Sequence, residues 1–295
     1  MEEIKKYLLC RPLGGLNDVL CQINYCYNYC IKFNRILLID TSFLYEHNSF
    51  SDSFDKYFNF IKKVRIKIIT NGEQIYNIIE DNNKSVYPLS LKNNIFNYEI
   101  THIKNLNLKE QFQSNGNNLY LEKKKFNEDI VIHHSFGGGI DSHKIINLIK
   151  INKAISLKFK QIYMHISKPY IGIHIRNTDM TTDYKEFLEN NFNLINSYKN
   201  ILLATDSIVV KKYFYNKFQN KNIFCYSQVL ENNDPLHTKS MDKHESFTNT
   251  LIDLLLLVYS EKLIVSTENS GYANLALYIH NNKTKCNNFL TNIKV

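Results

Sequence analysis

Apolar and polar positions along this chain follow two rhythms, one of strands and one of helices, and the switches between them mark its elements. Tyr7 to Cys10 is a short apolar strand. After a glycine-containing turn, Leu16, Leu20, Ile23, Tyr27 and Ile31 recur at helical spacing, which predicts a helix from Val19 to about Phe33. Arg35 to Asp40, RILLID, then reads as a buried strand, so the chain opens as a strand, helix, strand unit. From Thr41 to Asp129 the rhythm weakens. Val64 to Ile69 alternates as a strand, Glu73 to Ile79 suits a helix, and Asn93 to Asn118 is asparagine-rich with no firm period. Asp129 to His133 is strand-like again, and the glycines at 137, 138 and 139 form a loop before a long helix predicted from about His143 to His165.

Lys168 and Pro169 end that helix, and the second half alternates regularly. Strands are predicted at Ile171 to Arg176, Asn200 to Asp206, Asn222 to Tyr226 and Lys262 to Thr267. Helices fall between and after them at Tyr184 to Ile195, Ile208 to Phe218, Ser246 to Tyr259 and Tyr272 to Ile279. Short apolar strands alternating with amphipathic helices imply a parallel sheet with right-handed crossovers. Two α/β domains follow, residues 1–167 and residues 168–295.

Composition changes this picture little. A chain of 295 residues can form two moderate cores, and 44% hydrophobic residues with a mean hydropathy of -0.32 suit a soluble globular protein. The net charge of +8 favours phosphorylated ligands or an anionic membrane surface. Basic runs such as Lys123 to Lys125 lack the interleaved aromatics of a nucleic-acid stripe, so no nucleic-acid partner is expected. The cysteines at 10, 21, 26, 30, 225 and 286 form neither a disulfide framework nor paired zinc hooks and read as reduced core thiols of a cytoplasmic protein. The amino terminus has too short an apolar run for a signal peptide. Leu251 to Tyr259 is too short for a membrane span and is interrupted by Asp253.

Candidate chemistry gathers at strand ends. The stretch Ile171 to Met180, IGIHIRNTDM, runs from a strand straight into His174, Arg176 and Asp179, and an arginine where a parallel strand ends suits an anion. Asp206 closes the next strand. Ser266, Asn269, Ser270 and Gly271 open the last helix, whose first amides suit a phosphate. In the first half, Gly14 and Gly15 allow close backbone approach, and Asp18 suits a helix cap. Asp40 stands about where an acidic residue meets the ribose of a dinucleotide, although GGLND lacks the GxGxxG arrangement. His133 and His134 are adjacent, so in a strand they face opposite ways and no metal site is expected.

Four pieces in this order, GGLNDVLCQI (Gly14 to Ile23), HIRNTD (His174 to Asp179), ATDS (Ala204 to Ser207) and DLLLLVYSEKLIVSTENSGYANL (Asp253 to Leu275), resemble the fucosyltransferase superfamily of α1,2-, α1,6-, protein O- and Nod-factor fucosyltransferases. The resemblance leaves Thr41 to Asp129 unmatched. It implies a GT-B architecture, two Rossmann-like domains facing a central cleft, with the nucleotide sugar mainly on the C-terminal one. It implies an inverting glycosyltransferase with a GDP-sugar donor, GDP-fucose first among them, no cofactor and no metal, acting on a surface glycan or a lipid-linked oligosaccharide. The basic charge, separately, suits peripheral contact with an anionic membrane at its inner face. By resemblance Arg176 would bind the β-phosphate, His174 and Asp179 would orient it or the nucleotide, Asp206 would contact the nucleotide, and Ser266, Asn269, Ser270 and Gly271 would close on the diphosphate. Asp183 and Asp18 are the two candidates for the base, and Gly14 and Gly15 would border the donor. Many relatives have a second arginine where this chain has Asn177, and a glycine where it has Asn17, whose side chain tolerates a left-handed backbone. The other readings are a nicotinamide-dependent oxidoreductase, built on Gly14 and Asp40, and a non-catalytic nucleotide- or sugar-binding module.

Overall fold

The computed structural model describes residues 5–43, 50, 52–81, 83–96, 124–135, 137–178, 181–227 and 242–293. The chain divides into two compact units, Met1–Ile149 and Lys150–Val295.

The first unit holds β1 (Tyr7–Pro12), α1 (Leu16–Phe33), β2 (Ile36–Ile39), β3 (Phe58–Phe60), β4 (Ile68–Ile69), α2 (Gly72–Ile79), β5 (Val86–Tyr87), β6 (Ile130–Ser135) and α3 (Ser142–Ile145). Its five-stranded sheet has the order β4-β2-β1-β6-β5, with every neighbour parallel. Both central strands are buried throughout, as a parallel sheet covered on both faces requires. Tyr7 and Leu9 join Leu38, Ile75, Ile79, Ile130 and Ile132 in a core on one face. On the other face Cys10 lies with Cys26 and Cys30 of α1, and burial pushes the Cys26 and Cys30 thiols up, out of thiolate range. All six cysteines are unbridged.

Next along the chain come β7 (Ile149–Ile151), α4 (Lys153–His165), β8 (Tyr170–Ile175), α5 (Tyr184–Asn190), α6 (Phe192–Ser197), β9 (Asn200–Thr205), α7 (Ile208–Lys217), β10 (Asn222–Phe224), α8 (Lys243–Val258), β11 (Lys262–Val265) and α9 (Gly271–Asn281). The sheet of the second unit is also parallel, in the order β10-β9-β8-β11. Alternation along β8 sets the site. Ile171, Ile173 and Ile175 enter a core with Leu188, Leu203, Val210 and Phe214, each such side chain contributing roughly 1.5–3 kcal/mol on burial. Tyr170, Gly172 and His174 point the opposite way, where Tyr170 Oη donates to the Leu256 carbonyl at 2.7 Å and Gly172 lies against Ser260 of the α8 side. Among the described residues no helix is long and apolar enough to cross a membrane.

Three expectations change. The long helix from His143 to His165 is instead α3, a short 3-10 turn at Ile146–Leu148, β7 and then α4. Ile145, Ile146, Ile149 and Ile151 fit both periods, and Asn152 decides the matter by accepting from the Ala154 N–H at 3.0 Å as the cap of α4. The helix expected from Tyr184 to Ile195 breaks at Asn191, whose Nδ2 donates to the Phe187 carbonyl at 2.8 Å. The units part between Ile149 and Lys150 and not at 167/168, because α4 packs on α8, with the Phe159 and Tyr259 rings 5.5 Å apart.

Candidate functional site

In an open parallel sheet the ligand crevice lies where the strand order turns back on itself. The first unit turns between β1 and β6, and the loops leaving those two strands are Gly14 to Asp18 and the glycines at 137, 138 and 139. Gly14 adopts φ +100, and Gly15 stands at the N-cap of α1 with its N–H toward Asp18 Oδ2 at 3.3 Å. Asn17 is helical; the left-handed turn belongs to Gly14, because the Asn17 side chain has other work. Its Nδ2 donates to the Gly139 carbonyl at 3.0 Å and its Oδ1 accepts from Ser142 Oγ at 2.6 Å, while Gln22 Nε2 donates to the Gly137 carbonyl at 2.6 Å. The glycine loop is thereby tied to α1 so closely that a Cβ on Gly138 would sit 2.3 Å from Asp18 Oδ1. Burial in this pocket raises the Asp18 pKa, against a smaller lowering by the Gly15 N–H.

Two features of the first unit are structural. Asp40 accepts on both oxygens, from Arg11 Nε at 2.8 Å and from Ser42 Oγ at 2.9 Å, and so ties β1 to the end of β2. His133 and His134 are buried and face opposite ways, His133 beside Tyr25 and bonded to Gln22 at 2.8 Å, His134 edge-on to Phe43. Burial holds both rings neutral, His133 at about 3.

The second unit turns between β8 and β11. Arg176 directly follows β8, with a side chain one quarter exposed, and its Nη1 pairs with Asp206 Oδ2 at 2.8 Å. Asp206 also accepts from the Asn177 N–H at 2.8 Å and from Thr178 Oγ1 at 2.7 Å. It is thus the anchor of the arginine turn, accepting from three protein donors. Ser266 is likewise turned inward, its Oγ accepting from the Arg176 N–H at 3.2 Å, and Thr182 Oγ1 donates to the Arg176 carbonyl at 2.7 Å. Asn177, standing where many relatives have arginine, accepts from the Thr182 N–H at 3.3 Å. The Arg176 backbone is therefore held at both its N–H and its carbonyl. Ser270 caps α9 by accepting from the Ala273 N–H at 3.4 Å, with Gly271 opening the helix and the Asn269 N–H bonded to Thr267 Oγ1 at 3.1 Å. Asp183 is exposed and caps α5 through the Glu186 N–H at 3.0 Å. Asp179 lies outside the described residues.

In the second unit the buried polar atoms that lack a partner among the described residues include His174 Nδ1 and Asp253 Oδ1. Both residues border Tyr272: its ring centroid lies 5.2 Å from that of His174, and the Asp253 charge raises its pKa after burial does. Burial, with Arg176 second, lowers the His174 pKa to about 3, so the ring is neutral. Burial pushes the Asp253 carboxyl up to about 7, against hydrogen bonds from Ser227. Buried polar groups are nearly always satisfied, so an orphan nitrogen and an orphan carboxylate oxygen beside one aromatic ring mark a place shaped for a ligand. Asp253 was the signal missed in the sequence, an acid inside the apolar run Leu251 to Tyr259.

Two parallel-sheet, Rossmann-like units, each with its polar loops at a switch point, make up the GT-B fold class. Solved fucosyltransferases share it. The chain is similar to NodZ α-1,6-fucosyltransferase co-crystallised with GDP, with a TM-score of 0.60 and 18% identity over 92% of each chain. It is similar to fucosyltransferase NodZ from Bradyrhizobium, at a TM-score of 0.61 and 18% identity over 92% of this chain and 93% of that one. It is also similar to POFUT1 in complex with GDP, at a TM-score of 0.57 and 12% identity over 93% and 95%. At these identities the likeness is one of fold. Neither a family model nor a curated protein matches the sequence.

Proposed function

We propose that the chain is an inverting, metal-independent glycosyltransferase that moves fucose from GDP-fucose to a hydroxyl of a surface glycan or lipid-linked oligosaccharide. The observation that carries this is Arg176: a guanidinium fixed by Asp206 at a switch point, partly open to solvent, two residues along the strand end from His174, whose buried Nδ1 has no partner among the described residues. The four strand-end motifs and the fold shared with NodZ soaked with GDP-fucose and with POFUT1 in complex with GDP-fucose support the donor.

In the proposed reaction the acceptor oxygen forms a bond to the anomeric carbon from the face opposite the diphosphate. The bond from that carbon to the β-phosphate oxygen breaks, and its electron pair leaves with GDP. Negative charge grows on the diphosphate as this happens, and a guanidinium already in place stabilises it without reorganising. We assign the first amides of α9 to the phosphates, since unpaired N–H groups at a helix start attract anions. Asp253 is assigned to the base. Guanine presents two N–H donors on one edge, and a carboxylate with an unused oxygen accepts such a pair; adenine presents a different edge. Asp183 is engaged as a cap, whereas Asp18 has the raised pKa that a general base uses, so we assign the acceptor proton to Asp18.

The proposal is tested by thermal shift with GDP-, UDP-, CMP- and dTDP-sugars and NAD, followed by transfer assays. GDP compounds alone should raise the melting temperature, and GDP-fucose should be turned over; protection by NAD restores the oxidoreductase reading, and GDP binding without hydrolysis or transfer leaves a binding module. For the base, Asp18→Asn should lower kcat by about a hundredfold or more with GDP affinity nearly unchanged. Asp183→Asn should be close to wild type in both, because asparagine caps a helix as well as aspartate does. The reverse pattern moves the base to Asp183.

A further inference from the structure

Helix α4 carries its polar and apolar residues in an order that folding alone does not require. Ile155, Ser156 and Phe159 are buried, and this is the face laid on α8. On the opposite side Leu157 and Met164, seven residues apart and so stacked along the axis, are 52% and 70% exposed. Basic residues flank this ridge. Lys153 and Lys160, again seven apart, run along one side and His165 lies on the other, while Lys158 turns toward α8 and donates to Asn249 Oδ1 at 3.4 Å. From Ser142 to Thr178 the chain has six lysines and Arg176 but no aspartate or glutamate, so no acid in the segment neutralises the row.

The same character continues past the end of the helix. Lys168 Nζ lies 3.8 Å from the Tyr163 ring centroid and donates to the Tyr163 carbonyl at 2.7 Å. Lys283 Nζ lies 5.6 Å from the ring of Tyr259, whose centroid is 5.8 Å from that of Tyr163. Burial lowers the pKa of both lysines, so each gains from a nearby anion.

We propose that the exposed face of α4, with Lys168 and Lys283 near its end, is a docking surface for an anionic lipid bilayer. An apolar ridge flanked by lysines is what an interfacial helix lays against headgroups: the ridge enters the acyl boundary and the lysines meet lipid phosphates. A soluble acidic protein or nucleic acid would use the lysines but gain nothing from a bare Leu157 and Met164. The proposal stands apart from the sugar-transfer reading.

The test is flotation of the full chain with vesicles of phosphatidylcholine alone and with one quarter phosphatidylglycerol. Wild type should float only with the anionic vesicles, and less as salt rises. Leu157→Ser with Met164→Ser should weaken flotation by about tenfold or more. Lys153→Gln with Lys160→Gln should weaken it by on the order of tenfold at low salt. Circular dichroism, melting temperature and GDP protection should be unchanged in both double variants, which separates docking from folding and from donor binding. The proposal is overturned if wild type does not float with anionic vesicles. It is also overturned if the apolar double variant floats as wild type does, since the lysines then serve as a general polyanion site; heparin competition with equal force in both proteins identifies that outcome.

Discussion

Arg176→Ala is expected to lower kcat/KM for sugar transfer by about a thousandfold, in the range seen when one preorganised cation is taken from a developing anion. The loss should fall mainly on kcat, with GDP affinity down by about tenfold, because GDP bears most of its charge before the reaction and the guanidinium counts most for the charge that appears during it. Arg176→Lys should recover only part of the activity, since an ammonium keeps the charge but not the fork that grips Asp206 and a phosphate together. Both variants should fold. Asp206 retains the Asn177 N–H and Thr178 Oγ1, so the loss of its ion pair should destabilise by about 1–3 kcal/mol, read from urea unfolding. Transfer by Arg176→Ala within tenfold of wild type would sink the assignment.

That arginine was legible in the sequence because of its place. A buried strand running into His174 and Arg176 can be seen without a structure, as can the strand, helix, strand order of both halves. Parallel strands such as β1, β6, β8 and β9 are buried on both faces and leave continuous apolar runs. The failures came where one residue arbitrates between two periods. Nothing in the spacing of Ile145, Ile146, Ile149 and Ile151 tells helix from strand, and the Asn152 cap decides it. The paired part of Val64 to Ile69 shrinks to Ile68–Ile69 for a similar reason: alternation marks a face, whereas hydrogen bonding to β2 is set by where the partner strand ends.

For the site, residue identity was legible and direction was not. Asp206, Ser266 and Ser270 stand at the expected strand and helix ends, yet each spends its side chain on the protein, on the arginine turn or on a helix cap. A sequence shows that an oxygen is available at a strand end; it does not show which donor reaches it first. Gly138 shows the converse. Its worth lies in an absent Cβ beside Asp18, more than a hundred residues away in the chain, and a contact so distant leaves no local pattern. Asp253 left a pattern that pointed elsewhere: its break in an apolar run excluded a membrane span, while its burial with an unpartnered oxygen has a stronger consequence.

Asp253→Asn should stabilise the free protein and weaken its nucleotide site together. In the folded chain the carboxyl titrates at about 7, well above the ordinary value of 3.8, and burial is the main cause. A raised carboxyl adds stability that is fully present below the unfolded value and is lost as pH rises toward and through about 7. Above pH 7 the free protein therefore holds a buried carboxylate at a cost on the order of 4 kcal/mol, which asparagine removes. Urea unfolding of wild type should show stability falling from pH 4 to pH 7, and Asp253→Asn should flatten that slope. GDP binding should move the other way. Guanine needs the ionised carboxylate as a double acceptor, so wild-type affinity should fall by roughly tenfold from pH 8 to pH 6 as the site takes up a proton. The variant turns an amide N–H toward guanine N–H groups and should bind GDP about a hundredfold more weakly at pH 8, without the site's own pH dependence. Titration of the GDP phosphate is common to both proteins and cancels in the comparison by calorimetry. Unchanged GDP affinity in Asp253→Asn would remove the carboxylate from the base site, whereas higher stability with lower affinity is the mark of a group kept for binding against the interest of the fold.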